Sequence, residues 1–280
     1  MTSTAFSAMG TTVIVHASNE RAIEESRVTF ERFEQLFSRF RPTSELSRIN
    51  RAAGRVTSVS DNMRRVLSTA DDLRARTDGL VDIGVGTAVH EWGYNKTYSA
   101  MTDLDDSPQP DAEPRWSLDG RAVRLSTGTC LDLGGIAKGW SCDRVVEAGH
   151  ATVASAGGDI RSVDPTLVVE VLDEDDTIAA EVHVGVGALA TSSRSKRQWK
   201  VGGEPAHHII DPRTLRPAVT PVLSASVVAD TAADAEAGAK AVLIRGVDGL
   251  KWADSQPWIR QAIVLWHDGS VFGNARARVA

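Results

Sequence analysis

Leu131-Asp132-Leu133-Gly134-Gly135-Ile136-Ala137-Lys138-Gly139-Trp140 is the stretch from which the chain is best read. An apolar, β-branched run from Ala122 to Leu133 predicts a strand that passes through paired glycines into a helix starting near Ile136. Gly134 and Gly135 allow a backbone to approach a ligand where a Cβ would collide. The free N–H groups of a helix start favour an anion, and Lys138 adds a point charge beside them. The segment therefore reads as a seat for a phosphate-bearing ligand. It has neither the G-x-x-x-x-G-K-[ST] nor the G-x-G-x-x-G spacing, so it is neither a P-loop nor a Rossmann turn.

Outward from this stretch, strands come in hairpin runs and helices in separate blocks. Gly10 to Ala17 predicts a strand, and Asn19 to Phe40 a long amphipathic helix with Phe30, Phe33, Phe37 and Phe40 on its core face. Ser60 caps a further helix whose face is Met63, Val66, Leu67, Ala70 and Leu73, stopped at Asp78-Gly79. Thr102 to Pro114 is a polar, proline-bearing loop, and Trp116 to Leu125 a hairpin turning at Asp119-Gly120. Beyond Trp140, short strands fill Ala151 to about Ile210. Val222 to Ala229 is a strand, Thr231 to Arg245 an alanine-rich helix, and Ile259 to Trp266 with Ser270 to Phe272 a closing pair of strands. There is no regular βαβ alternation, which predicts an α+β fold with largely antiparallel sheets. The whole of residues 1–280 reads as one domain.

The totals narrow the function classes. The chain has 280 residues, 42% hydrophobic and 24% charged, ordinary values for a globular protein able to bury a core. With 31 basic and 37 acidic residues the formal net charge is -6, and no basic stripe invites nucleic acid. Cys130 and Cys142 are too few for a disulfide framework or a soft-metal site. The first residues, Met1-Thr2-Ser3-Thr4-Ala5-Phe6-Ser7, carry no signal-peptide pattern or lipobox, and no apolar run is long enough to span a membrane. These features predict a cytoplasmic protein without membrane insertion.

Three more segments carry chemistry. In His207-His208-Ile209-Ile210-Asp211-Pro212-Arg213-Thr214, two histidines, a carboxylate and an arginine gather at a strand end before a proline turn. Adjacent strand residues point to opposite faces, so one of the two histidines can face a site, and alternation alone does not say which. No H-x-x-x-H spacing accompanies them, against a zinc hydrolase. Asp230-Thr231-Ala232-Ala233-Asp234 opens a helix with Asp230 or Thr231 as its cap; spacing alone favours a capping and dipole role for these acids, while Asp234 one turn in can instead be a hard oxygen ligand for Mg²⁺. Ala156-Gly157-Gly158-Asp159 is a turn that says little alone.

Taken in order, these segments resemble the FAD:protein FMN transferases of the ApbE type. The resemblance runs through Ser7-Ala8-Met9-Gly10-Thr11, Ser38-Arg39-Phe40, Ser44 to Asn50, Asp78 to Asp82, Glu91-Trp92-Gly93-Tyr94, D-L-G-G-I-A-K-G, G-G-D, Ala188 to Ser193, H-H-I-I-D-P-R-T and the Asp234 helix. It implies a flavin-transferase α+β domain that holds FAD and Mg²⁺ in a cleft. It also implies a reaction that moves FMN from FAD to a threonine hydroxyl of an acceptor flavoprotein and releases AMP. Residue by residue, it places Asp234, the Gly135 carbonyl and Gly238 around the metal. His208 becomes the base for the acceptor hydroxyl, Asp211 a support for that histidine or a cleft-lining residue, and Lys138 a contact on the pyrophosphate. Met9, Asn50, Asp82, Gly134, Asp159, Thr191 and Ser192 complete the implied FAD contacts.

Departures from the family pattern fall at three places. Gly238 stands where the family has a threonine four residues after the metal-binding aspartate. Asp82-Ile83-Gly84 replaces aspartate-proline-threonine, and Leu215 replaces a glycine in the turn after Asp211. Leu215 must avoid a positive φ or accept strain. An FAD-binding protein without transfer, and a Mg²⁺-dependent FAD pyrophosphatase giving FMN and AMP, are the alternative functions.

Overall fold

A computed structural model describes residues 2–52, 54–96, 101–108, 115–173 and 175–277. It divides into two compact units, the first of residues 1–32, 136–195 and 219–280, the second of residues 33–135 and 196–218.

The first unit is built on an eight-stranded antiparallel sheet. Its strands are β1 (Thr2–Ala8), β2 (Thr11–Ala17), β6 (Val153–Ala156), β7 (Asp159–Ser162), β10 (Gly187–Ser193), β15 (Val222–Ala229), β16 (Ile259–Trp266) and β17 (Val271–Gly273), in that spatial order. Helices α5 (Ala137–Glu147) and α6 (Ala232–Arg245) and the first part of α1 (Glu20–Phe37) cover one face. Val13, Val15, Ala154, Ala188 and Ala190 from the sheet bury against Phe30, Cys142, Val145 and Ala235 from those helices. The hairpin of β8 (Val168–Leu172) and β9 (Ile178–His183) packs Val171, Ala180 and Val182 against Leu189, Val228 and Ile263 on the other face. A short helix, α7 (Gly249–Ser255), leads into β16.

Turn chemistry sets this sheet's registers. Met9 (φ 54°) and Gly10 (φ 70°) both take the left-handed conformation of a two-residue hairpin turn, whose twist matches that of the flanking strands. Gly157 and Gly158, at φ 62° and 96°, do the same between β6 and β7, and a Cβ on Gly157 would lie 2.7 Å from Thr11 Oγ1. The Gly-Gly-Asp segment is thus a required turn that fixes where Asp159 begins β7.

The second unit joins α2 (Glu45–Arg51), α3 (Asp61–Arg76) and α4 (Gly86–Glu91) to a three-stranded sheet of β3 (Val56–Ser58), β5 (Ala122–Leu125) and β4 (Trp116–Asp119). Two hairpins complete it, β11 (Gln198–Val201) with β12 (Glu204–His207), and β13 (Ile210–Asp211) with β14 (Arg216–Pro217). Ser60 caps α3 as the sequence predicts, accepting from Met63 N at 3.3 Å, and Met63, Val66, Leu67, Ala70 and Leu73 are all buried. Met63, Val66, Leu67 and Leu73 each contribute about 1.5–3 kcal/mol of gross burial energy.

The α+β class and the antiparallel sheets agree with the sequence reading, and several boundaries do not. The strand expected over Ala122–Leu133 ends at Leu125, because Gly128 (φ 83°) turns the chain and only Cys130 makes a further bridge, to Val85. The first helix stops at Phe37 rather than Phe40, two residues beyond which Arg39 caps the Phe40 ring from outside, and Phe40 is exposed rather than core. Of the expected loop over Thr102–Pro114, residues 109–114 lie outside the described residues, while Leu104 bridges to Val201. Among the described residues no helix is long and apolar enough to cross a membrane.

Candidate functional site

In the first unit Lys138 sits among protein carboxylates. Lys138 Nζ lies 2.6 Å from Asp159 Oδ2 and 2.9 Å from Glu236 Oε1, and Lys240 reaches the same Glu236 oxygen at 3.1 Å. Glu236 Oε2 also accepts from the Gly139 N–H at 3.4 Å, in the first turn of α5. The anion at this helix start is therefore Glu236. The nearly buried Lys138 ammonium thus also ties α5, β7 and α6 together through two carboxylates. Burial alone would lower the lysine, but Asp159 and Glu236 outweigh it and hold it above the ordinary range. Burial and the neighbouring Glu236 push Asp159 up to about 6, against the pull of Lys138 and Lys240. Glu236 goes the other way, its burial outweighed by the two lysines.

Helix α6 begins with every early amide satisfied. Ala232 and Ala233 donate to the two oxygens of Asp143 at 2.7 and 3.0 Å, Asp234 N donates to Thr231 Oγ1 at 3.1 Å, and Ala235 N to Thr231 O at 3.0 Å. Thr231 is the cap; Asp230, the alternative, pairs instead with Arg260. Asp143 is 1% exposed, stands 3.5 Å from Arg161 Nε, and is pushed up to about 7 by burial despite its two amide bonds. The sequence reading missed it, since nothing local marks a residue of α5 as the cap of α6. Gly139 gives one clue in retrospect: a Cβ there would meet Ala232 O at 2.7 Å, so the two helices cross where only glycine fits.

Asp234 is half-buried in the first turn of α6. A lone carboxylate suits a hard cation that retains most of its waters and takes the rest of its shell from substrate phosphates. Among the described residues no group of three His, Cys, Asp or Glu side chains forms a fuller cage. Gly238 adds no side-chain oxygen, and a Cβ there would stand 2.9 Å from Val227 Cγ1 and 3.2 Å from Trp258 Cζ3. Restoring a threonine is therefore expected to overpack the helix–sheet contact. Gly238→Thr should lower stability by about 1–3 kcal/mol, read by chemical denaturation, where the sequence alone suggests a gain in metal affinity. Thr191 and Ser192 point to opposite faces of β10. Ser192 shares the helix-covered face with Ala190, whereas Thr191 Oγ1 bonds Ser226 Oγ at 2.8 Å on the other. Met9 lies in the β1–β2 turn, partly packed on the core.

In the second unit, Asn50 serves the backbone of the opening stretch. Its Nδ2 donates to Leu131 O at 2.9 Å and its Oδ1 accepts from Leu131 N at 2.8 Å, replacing the strand pairing that the sequence predicts there. Asp82 Oδ1 accepts from Gly84 N at 2.7 Å and Trp116 Nε1 at 2.8 Å. Gly134 N donates to Asp132 Oδ1 at 2.7 Å, with Gly135 following. Asn50 and Asp82 are thus positioning groups for the Asp82–Gly84 and Leu131–Gly135 segments.

The two histidines separate cleanly. His207 is buried, its Nε2 against Ala218 O at 3.1 Å and its Nδ1 accepting from Ile209 N at 3.3 Å. His208 is half-buried beyond the end of β12, with the Tyr94 ring edge-on at 6.2 Å. Tyr94 stacks on Trp199 at 5.9 Å, lies under the Arg39 guanidinium at 4.7 Å, and accepts from Arg197 Nη1 at 3.3 Å. Arg39 in turn pairs with Asp132 at 3.1 Å. This cation–aromatic cluster around the surviving histidine was not assigned from sequence, although Arg39 and Tyr94 lie in quoted motifs. Asp211 is taken up by Arg213 through a bidentate pair, 2.7 Å at its shortest, and by the Arg213 N–H at 2.9 Å, so it organises the turn after His208. Leu215 accepts the strained alternative, at φ 56°, with its carbonyl held by Trp92 Nε1 at 2.8 Å.

With this geometry in place, the sequence profile of the ApbE family matches residues 9–263. The chain belongs to the ApbE family. It is 30% identical over 254 residues to an FAD:protein FMN transferase of Rhodobacter capsulatus, a match covering 84% of this chain and 48% of that one. It therefore spans about half the length of that relative. An Escherichia coli K12 protein of the same description is 24% identical over 243 residues, covering 78% and 69%. Among solved ApbE structures, the Thermotoga maritima protein superimposes with a TM-score of 0.87 at 25% identity, covering 98% of this chain and 97% of that one. The Vibrio cholerae flavin transferase ApbE does so at 0.77 and 24%, with the same coverages, a likeness of fold.

Proposed function

We propose that this ApbE-family chain transfers FMN from FAD to a hydroxyl of an acceptor flavoprotein, a threonine by the family resemblance, and releases AMP. In that reaction the acceptor oxygen forms a bond to the FMN phosphorus, the pyrophosphate P–O bond to AMP breaks, and the hydroxyl proton passes to a base. The observation that carries the reading is the pairing of family membership with an intact reactive set. His208 stands clear of the buried His207 in a cluster of cations and aromatic rings, and Asp234 stands on a helix whose cap is complete without it.

His208 is the base in this reading. Asp211, tied to Arg213, holds the turn behind it, and the guanidinium groups of Arg39 and Arg197 favour an anionic ligand nearby. Asp234 would hold Mg²⁺, which when bound neutralises phosphate charge and orients the pyrophosphate. Asn50, Asp82, Gly134 and Gly135 keep the Leu131–Gly135 backbone in place for the ligand, and Lys138, held by Asp159, is the charge expected beside the pyrophosphate.

The test is incubation of the purified chain with FAD and Mg²⁺, following AMP with and without an acceptor that carries a threonine motif. AMP together with covalently flavinylated acceptor is the expected result. AMP alone with every acceptor tried would establish the pyrophosphatase instead, and bound FAD without AMP would establish a flavin-binding protein. His208→Gln is expected to lower the transfer rate about 10²–10⁴-fold while FAD affinity stays near that of the parent chain.

A further inference from the structure

Glu236 is 2% exposed, two residues beyond Asp234 on α6, and it gathers Lys138, Lys240 and the Gly139 N–H. With Asp159 it completes a buried network of two ammonium groups and two carboxylates spanning α5, β7 and α6. Stability gives a poor reason for such a network, because desolvating four charges offsets most of what their attraction returns, and apolar packing of equal volume does as well. Placement gives a better one. Around Asp234 the buried residues of α6 are small, Ala232, Ala233, Ala235, Ala237, Gly238 and Ala239, while Val242, Leu243 and Ile244 pack its far end. Packing of small side chains gives the N-terminal half of α6 little of the interlock that Val242, Leu243 and Ile244 give its C-terminal end. Directional bonds from Glu236 to a lysine on a neighbouring helix supply that interlock.

We propose that Glu236 is a positioning residue: the Glu236–Lys138 clamp fixes the rotation of α6 and thereby the place at which Asp234 presents its carboxylate to a divalent cation. The inference rests on the reading of Asp234 as the metal-holding residue. Lys240 steadies Glu236 from one turn further along the helix, and Asp159 holds Lys138 from the sheet. Asp143 fixes the helix start, so α6 is held at two points, and the second of them controls its rotation.

The experiment uses the full chain and its Glu236→Gln and Lys240→Met variants, with Mn²⁺ as the probe. Free Mn²⁺ is followed by electron paramagnetic resonance and backbone opening by amide hydrogen exchange over residues 232–240. Expected for Glu236→Gln are exchange at least tenfold faster in that segment and an Mn²⁺ dissociation constant at least tenfold higher. The rate of AMP formation at saturating metal should stay within about threefold of the parent. Lys240→Met should show the same pattern at smaller amplitude, and it decides the matter if Glu236→Gln does not fold. Faster exchange with unchanged Mn²⁺ affinity would overturn the proposal, leaving the network a structural tie. Unchanged exchange, or a parent chain that binds no Mn²⁺, would overturn it as well. A parent chain that binds Mn²⁺ through Asp234 yet cleaves no FAD would reject the proposed reaction alone, and the two metal and exchange readouts would still decide the clamp.

Discussion

Asp143→Ala is expected to lower the stability of the folded chain by about 3 kcal/mol, measured by denaturant titration at pH 7. The reason is local and complete. Asp143 is 1% exposed, and its two oxygens are the partners of the Ala232 and Ala233 amides at 2.7 and 3.0 Å. Alanine would strand two amides in a region that water does not reach, and it would leave Arg161 without the carboxylate 3.5 Å from its Nε. An orphaned buried amide costs about 1–3 kcal/mol, so the pair alone accounts for the figure. Asp143→Asn keeps one of the two acceptors and should lose roughly half as much.

The same residue makes the stability depend on pH, with a sign opposite to that of an ordinary salt-bridged aspartate. Its carboxyl is pushed up to about 7 in the folded chain, chiefly by burial, from an ordinary value of 3.8. Between those limits the folded state holds a proton that the unfolded state has released, so this group's contribution is greatest below the ordinary value and declines as the pH rises to about 7. The decline is on the order of 4 kcal/mol over the window. The difference between parent and Asp143→Asn should therefore shrink or reverse from pH 4 to pH 7. A constant difference across that range would contradict the assignment.

How much of this was legible in the sequence depends on how local the cause was. The α3 face, the Ser60 and Thr231 caps and the strand Val222–Ala229 follow from periodicity and capping chemistry within a few residues, and the structure has them in place. The strand over Ala122–Leu133 fails because Gly128 turns the chain where hydropathy sees only continuity. At Leu131 the partner is not a strand but the Asn50 side chain, far away in sequence. Lys138 shows the harder limit. A lysine after paired glycines reads as a phosphate ligand, and no short-range pattern shows that Asp159 and Glu236 also gather around it. Glu236 and Lys240 are a visible i, i+4 pair, which ordinarily marks a solvated helix face; here the alanines around them put it inside. Motif order was legible across the whole chain, and the family followed from it. Roles of single residues depend on contacts between distant segments, which motif order does not carry.

Asp234, the residue read as the metal ligand, is the most informative one to remove. Asp234→Ala is expected to abolish metal-dependent AMP formation, with a loss of at least 10²–10³ in rate, because the charge that the cation would neutralise is then faced without it. The fold should hardly change. The α6 start keeps Thr231 as its cap and Asp143 on its first amides, and the Asp234 backbone N–H still donates to Thr231 Oγ1 at 3.1 Å whatever its side chain. What is lost is the favourable placement of a negative side chain near a helix N-terminus, about 0.3–1 kcal/mol, which shifts the denaturation midpoint only slightly. Raising Mg²⁺ should not restore turnover, since no neighbouring carboxylate is free to substitute: Glu236 is held by two lysines and Asp159 by one. Partial rescue at high Mg²⁺ would show that backbone oxygens and substrate phosphates alone can hold the cation, and the metal would then belong to the substrate rather than to Asp234. Full activity at ordinary Mg²⁺ would remove the metal assignment altogether, and with it the reason for fixing α6 so tightly.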